Sequence, residues 1–207
     1  MSAHSGSTIT ALFCDIGGVF LSNAWDRTSR SRAVQTFALD RVAFDRLHNV
    51  VIGAFETGQM SLDEYLDRTL FYKPRAFTKD EFKQFAFAQS RPYEESLELL
   101  ASIAATKQYL IGAINNESRD LNRFRIERFD LRKYFAVFFS SCYLGVRKPE
   151  ERIYRMALEM TGRGPGESVF IDDREENVEG ARRAGMHAVQ YKDAAQLRTE
   201  LQRLGVC

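Results

Sequence analysis

The stretch ITALFCDIGG occupies residues 9–18. A short apolar run closed by glycine reads as a buried strand, predicted here over residues 9–16. The run stops on a carboxylate, Asp15, and Gly17 and Gly18 follow almost at once. Two readings compete at that point. Asp15 is a turn or cap residue, or it is a nucleophile held at a strand end, with glycine backbone free to approach a phosphate.

The rest of the chain decides what kind of sheet this strand joins. From SRPY (90–93) onward, helical and strand textures alternate. EESLELLASIAAT precedes QYLIGAI, RDLNRFRIERF precedes AVFFSS, PEERIYRMALEM precedes SVFIDD, and REENVEGARRAG precedes HAVQY. A last helix reads AAQLRTELQRL. Short apolar strands between helices predict a parallel sheet covered on both faces, an α/β fold. A lone strand cannot bury itself, so the first strand must join that sheet.

Residues 24–92 are different, with apolar residues at three- and four-residue steps and no strand signal. Ser61 with Glu64, and Thr78 with Glu81, match the reciprocal capping pattern of a helix start. The expected organisation is a Rossmann-like core of residues 1–22 and 93–207, with a helical insertion over 23–92. The glycine-rich TGRGPGES (161–168) precedes a strand instead of opening a helix, so it reads as a loop.

Composition narrows the function classes. The chain has 207 residues, 44% hydrophobic and 28% charged, with a net charge of +1. That balance gives no electrostatic case for nucleic acid or an anionic membrane, so neither is expected as a partner. Three cysteines with no ligand spacing suggest neither a zinc site nor a disulfide framework, which fits a reducing, cytoplasmic location. The polar start MSAHSGSTIT lacks the basic and apolar regions of a signal peptide and reads as a frayed end. No run approaches the ~18 apolar residues of a membrane span.

In an open parallel sheet, ligands bind beyond the carboxyl ends of the strands. The first strand delivers Asp15, Gly17 and Gly18 there, and the second delivers Asn115, Asn116 and Glu117. Arg147 and Lys148 follow the third, and Asp172 and Asp173 end the fourth, with Asn177 one turn into the next helix. Three converging carboxylates need compensation, and a hard divalent cation supplies it; Mg²⁺ favours carboxylates, water and substrate phosphate. Lys148 offers a point charge, while Asn115 and the amides near Gly17 and Gly18 can donate to phosphate oxygens. The set suits attack of Asp15 on phosphorus, followed by hydrolysis of the aspartyl-phosphate.

With CDIGGV, INN, RKPE and IDDREEN in that order, the chain resembles the haloacid dehalogenase superfamily over about residues 9–204. CDIGGV is similar to the Asp-x-Gly-Asn-Val start of a branch that includes sugar 1-phosphate phosphatases. The insertion resembles that family's small helical cap, with FETGQMSLDEYL (55–66) as its Gly-containing stretch. The resemblance implies Mg²⁺-dependent hydrolysis of the phosphate esters of small metabolites, by a monomer or homodimer. Asp15 is then the nucleophile and Lys148 the charge balancer. Asp15, Gly17 (through its carbonyl), Asp172 and Asp173 hold the metal, and Gly17, Gly18, Asn115 and Asn116 hold phosphate or substrate. Asp173 is the favoured direct ligand of the acidic pair.

The chain departs from the family pattern twice. Gly17 stands where its phosphatases carry a general-acid Asp, and Asn115 stands where they carry Ser or Thr. Losing a general acid typically costs ~10²–10⁴ in rate, so good leaving groups are favoured. Two alternatives therefore stand beside the phosphatase. One is a metal-independent 2-haloacid dehalogenase, and the other is a catalytically impaired binding protein on the same fold. In the insertion, His48 and Trp25 read as structural, and Phe55, Glu56 and Gln59 as equally suited to packing or substrate contact. Arg147 reads as a solvent charge, and Asn177 as a hydrogen-bonding brace.

Overall fold

A computed structural model describes residues 8–206; the polar start over residues 1–7 lies outside the described residues. Five parallel strands form one sheet in the order β3-β2-β1-β4-β5. They are β1 (Ala11–Cys14), β2 (Leu110–Asn115), β3 (Val137–Ser140), β4 (Ser168–Asp172) and β5 (His187–Gln190). The α/β architecture expected from the alternation is the one observed.

The sheet is buried on both faces, and β1 shows why its sequence is continuously apolar. Leu12 and Cys14 point into one cluster, with Leu99, Ile103, Ile126 and Leu197. Ala11 and Phe13 point into the other, with Ile153, Tyr154, Ala157 and Ala181. The first cluster draws on α5 (Glu94–Thr106), α6 (Arg119–Arg128) and α10 (Ala194–Arg203), and the second on α8 (Glu151–Thr161) and α9 (Glu175–Arg183). Phe13 is wholly buried. A side chain of that kind contributes roughly 1.5–3 kcal/mol on burial, so β1 is anchored from both sides.

Strand order decides where the open crevice lies. From β1 the chain steps outward through β2 and β3, then returns to β1's other side for β4 and β5. The reversal falls between β1 and β4, and such a switch point opens a crevice at the carboxyl ends of the strands. Asp15 follows β1, and Asp172 and Asp173 close β4, so the acids straddle this crevice.

Between β1 and α5 lie α1 (Arg27–Thr36), α2 (Arg41–Glu56), α3 (Leu62–Thr69) and α4 (Lys79–Phe87). They share a third cluster of their own, including Phe44, Phe55, Tyr65, Leu66 and Phe82. Both capping boxes are present: Ser61 and Glu64 open α3, and Thr78 and Glu81 open α4. Asp26 and Asp40 cap α1 and α2 by accepting from Ser29 N and Ala43 N. The two connections to the core run side by side: Ser22 N donates to Arg91 O and Tyr93 N to Phe20 O, each at 2.8 Å. Past the end of α2, Gly58 (φ +71°) lies against the short helix α7 (Ser141–Leu144), where a Cβ would sit 2.0 Å from Cys142 O. Only glycine permits that approach. Among the described residues, no helix is long and apolar enough to cross a membrane.

Candidate active site

The elements that end at the crevice deliver its polar side chains, and hydrogen bonds fix the delivery. Asp15 N donates to Ile171 O at 2.8 Å, tying the end of β1 to β4. Ile16 N donates to Asp15 Oδ1 at 2.8 Å, which orients the carboxylate. Lys148 lies in the loop after α7, and Asn116 at the end of β2 braces it. Lys148 N donates to Asn116 Oδ1, and Asn116 Nδ2 donates to Lys148 O, each at 2.8 Å.

The result is a buried ionic centre. Lys148 Nζ stands 3.0 Å from Asp15 Oδ1 and 2.6 Å from Asp172 Oδ2, with its side chain excluded from solvent. Asp172 is enclosed on every side: Arg174 N donates to Oδ1 at 2.9 Å, and Asn177 Nδ2 reaches both oxygens at 3.0 and 3.1 Å. Asn177, expected as a brace, thus holds Asp172 directly. Asp173 is freer. Its Oδ2 accepts from Asn23 Nδ2 at 3.2 Å, while Oδ1 is buried with no hydrogen-bond partner among the described residues.

Burial and crowding set the protonation of this group. Burial, opposed by Lys148 and reinforced by Asp172 and Asp173, pushes the Asp15 carboxyl up to about 7. Burial and the neighbouring Asp172 raise Asp173 as well. Burial alone would lower the Lys148 ammonium, but Asp15 and Asp172 together hold it above the ordinary lysine value. One oxygen from each of Asp15, Asp172 and Asp173 lies within 4.8 Å of the others. An all-oxygen donor set with an orphaned buried carboxylate oxygen fits a hard divalent cation such as Mg²⁺.

Asp15, Gly17, Asn115, Asn116, Lys148 and Asp173 line one cavity of about 600 Å³, with Asn177 also on its wall. Gly18 opens instead onto a neighbouring cleft beside Tyr93 and Tyr191. Its φ of +80° and its closeness to Asp173, whose Oδ2 would lie 2.2 Å from a Cβ, both require glycine. Asn115 is buried: its Nδ2 donates to Asn122 Oδ1 at 3.0 Å, and its Oδ1 accepts from Ser140 Oγ at 2.9 Å.

Several cavity residues had no signal in the sequence pattern. Arg125, almost fully buried on α6, reaches back to the first motif. Its Nη1 donates to Glu117 Oε2 at 2.9 Å, and its Nη2 donates to Ser22 O at 2.7 Å. A Cβ on Gly17 would meet Asn23 Oδ1 at 2.8 Å and Arg125 Nη1 at 3.4 Å. The space beside Gly17 is therefore filled by an amide and a guanidinium. Burial raises the Glu117 carboxyl despite Arg125. From the helical unit, Trp25, Arg30, His48, Ile52 and Glu56 line the cavity's far side. Arg147 is not a free solvent charge: its Nη1 stands 2.7 Å from Glu56 Oε2, linking the core to α2. Phe55 is buried and stacks on Tyr65.

A flavin mononucleotide hydrolase of Arabidopsis thaliana is 29% identical over 159 residues, which is 77% of this chain and 64% of the relative. A phosphoserine phosphatase of Thermus thermophilus is 30% identical over 112 residues, 53% of this chain and 45% of the relative. The chain thus spans less than two thirds of the length of either. Among solved structures, the HAD family enzyme bt-2542 of Bacteroides thetaiotaomicron, crystallised with magnesium and inorganic phosphate, superposes with a TM-score of 0.74. It is 21% identical, and the match covers 91% of this chain and 98% of that one. A family profile of haloacid dehalogenase-like hydrolases matches residues 9–185. With the parallel sheet, the switch-point crevice and the acidic cluster in place, the chain belongs to the haloacid dehalogenase-like hydrolase family.

Proposed function

We propose that this hydrolase is a Mg²⁺-dependent phosphatase of small phosphorylated metabolites. The observation that carries the reading is Lys148, whose Nζ bridges Asp15 and Asp172 beside the open oxygen of Asp173. Asp15 and Asp173, with the Gly17 carbonyl, would hold the metal, and Asp172 would complete the acidic set while fixing Lys148. When bound, Mg²⁺ supplies positive charge that offsets the carboxylates and the phosphoryl oxygens. The relatives named for phosphate-ester hydrolysis, and the neighbour crystallised with magnesium and phosphate, support the same reading.

The chain's own residues would work as follows. Asp15 attacks phosphorus through one carboxylate oxygen; the new O–P bond forms as the bond to the leaving oxygen breaks. Lys148 opposes the burial that favours the protonated form of Asp15. Water then attacks phosphorus, releasing inorganic phosphate and the Asp15 carboxylate. Gly17 supplies no proton to the leaving oxygen, so substrates whose leaving group departs as a stable anion, such as acyl phosphates or sugar 1-phosphates, suit the site. Helices α1–α4, residues 23–92, form the cap that closes over this chemistry.

A panel of phosphate esters, with and without Mg²⁺, tests the proposal. Turnover that requires Mg²⁺, favours acyl over simple alkyl phosphates and vanishes in Asp15→Asn is the expected outcome. Gly17 and its filled surroundings favour one other reading, a binding protein with impaired turnover. Wild type matching Asp15→Asn across the whole panel would establish that reading instead.

A further inference from the structure

The helical unit is packed with aliphatic and phenylalanine side chains, yet a hydrogen-bonded chain of three polar aromatics runs through it to the cavity. Trp25 Nε1 donates to the Tyr65 hydroxyl at 2.9 Å, and that hydroxyl stands 2.8 Å from His48 Nδ1. Tryptophan can only donate. Thr69 also meets that hydroxyl, but its own proton goes to Tyr65 O at 2.7 Å; His48 Nδ1, at 2.8 Å, is the acceptor with hydrogen-bond geometry, so the Tyr65 proton goes there. The imidazole then carries its proton on Nε2.

The arrangement is closely packed. Tyr65 is 1% exposed and stacks on Phe55 at a centroid distance of 4.3 Å. His48 is buried on the cavity wall it shares with Asp15, and no described residue partners its Nε2. Burying an imidazole and a phenol costs free energy unless their polar atoms are satisfied. This set is satisfied at every position except the one available to the cavity. The charged groups facing it are Arg30, also on the cavity wall, and Asp45 beside it. Burial and Arg30 together, against Asp45, lower the ring to about 4.

We propose that His48 is a specificity-determining residue, a neutral donor of fixed tautomer whose Nε2–H reads an acceptor oxygen on the leaving group of a substrate phosphorylated at Asp15's end. The inference rests on the phosphatase reading and adds the leaving-group class: one with a carbonyl, hydroxyl or ether oxygen beyond the ester oxygen. A neutral imidazole keeps its Nε2 proton at ordinary pH, so His48 binds and orients the leaving group. It does not replace the acid missing at Gly17.

Two measurements on the full chain decide it. ¹⁵N-histidine NMR is expected to show His48 as a single Nε2–H tautomer, neutral down to pH 5, and as a tautomer mixture in Tyr65→Phe. An Nδ1–H tautomer, or an imidazolium at pH 6, would overturn the assignment. In Mg²⁺ with acetyl phosphate, His48→Leu is expected to lose about 3- to 10-fold in kcat/KM, the worth of one neutral hydrogen bond. His48→Gln, which keeps a donor, should recover part of that loss. Inhibition by inorganic phosphate, which has no leaving group, should be unchanged in both. Wild-type kinetics in His48→Leu, or an equal loss of phosphate binding, would refute the role. A locked tautomer in a protein that turns over no phosphate ester would instead sink the phosphatase reading, and this role with it.

Discussion

Replacing Lys148 by methionine removes one buried charge while keeping its length. At an effective dielectric of 20, each of its contacts, 3.0 Å to Asp15 and 2.6 Å to Asp172, is worth about 6 kcal/mol of gross attraction. Desolvation of the ammonium offsets much of that. Removing one partner from a buried ionic group typically costs about 3–5 kcal/mol, a large part of the roughly 5–15 kcal/mol that holds a domain together. The pH dependence gives a sharper signature. Asp15 titrates near 7 in the metal-free protein, above its ordinary value of 3.8. The folded state therefore binds the extra proton, and stability falls as pH rises from about 4 to about 7. Without Lys148, the folded value moves higher still. Wild type and variant should run parallel below pH 7 and diverge above it by roughly 1.4 kcal/mol per pH unit. Urea melts in EDTA between pH 5 and 8 measure this. A variant as stable as wild type at pH 8, or curves parallel throughout, would refute the ionic centre as described.

Mg²⁺ should raise the melting temperature more at pH 8 than at pH 6, because protons compete for Asp15; equal shifts at the two values would contradict this. Gly17→Asp should leave the turnover of alkyl phosphates within a few-fold of wild type. Its Cβ would stand 2.8 Å from Asn23 Oδ1, and its carboxylate would be drawn to Arg125, so a tenfold gain in rate would count against that geometry. Gly18→Ala should weaken Mg²⁺ activation at least tenfold, read from a metal titration of the rate, because a methyl there collides with Asp173 Oδ2. Glu117→Ala should destabilise the fold by about 3–5 kcal/mol in urea melts by stranding the buried Arg125.

The parts of the site that are legible in sequence are those fixed by chain order. Asp15, Lys148 and the Asp172–Asp173 pair lie at or after the ends of β1, β3 and β4, and a parallel sheet aligns all its carboxyl ends. The two capping boxes are legible for a related reason, since their partners lie three residues apart. Arg125 is not legible. It lies eight residues after Glu117 and reaches Ser22, more than a hundred residues earlier, only because α6 packs its buried face beside the first motif. Arg147 reads as a solvent charge because its partner, Glu56, arrives from a helix inserted ninety residues upstream. The Trp25–Tyr65–His48 chain joins the segment before α1 to α2 and α3, and no local spacing encodes that meeting. Sheet topology is a one-dimensional constraint, whereas side-chain convergence between packed helices is not.

The charge balance and Gly17 bear on the same question. Three carboxylates meet one ammonium at the crevice, leaving two negative charges when all are ionised. Burial and this crowding push the Asp15 carboxyl up to about 7. A divalent cation held by Asp15, Asp172 and Asp173 would supply the two missing charges and lower the Asp15 carboxyl. Gly17 would contribute only its backbone to that site. Its missing side chain would bear on the leaving oxygen, and a Cβ there would stand 2.8 Å from Asn23 Oδ1 and 3.4 Å from Arg125 Nη1. In the proposed reaction, attack by Asp15 needs nothing from Gly17, while departure of the leaving group would be unassisted. In that reaction the leaving group would carry its own stability, and selectivity would fall to the cavity wall formed by His48, Arg30 and Trp25.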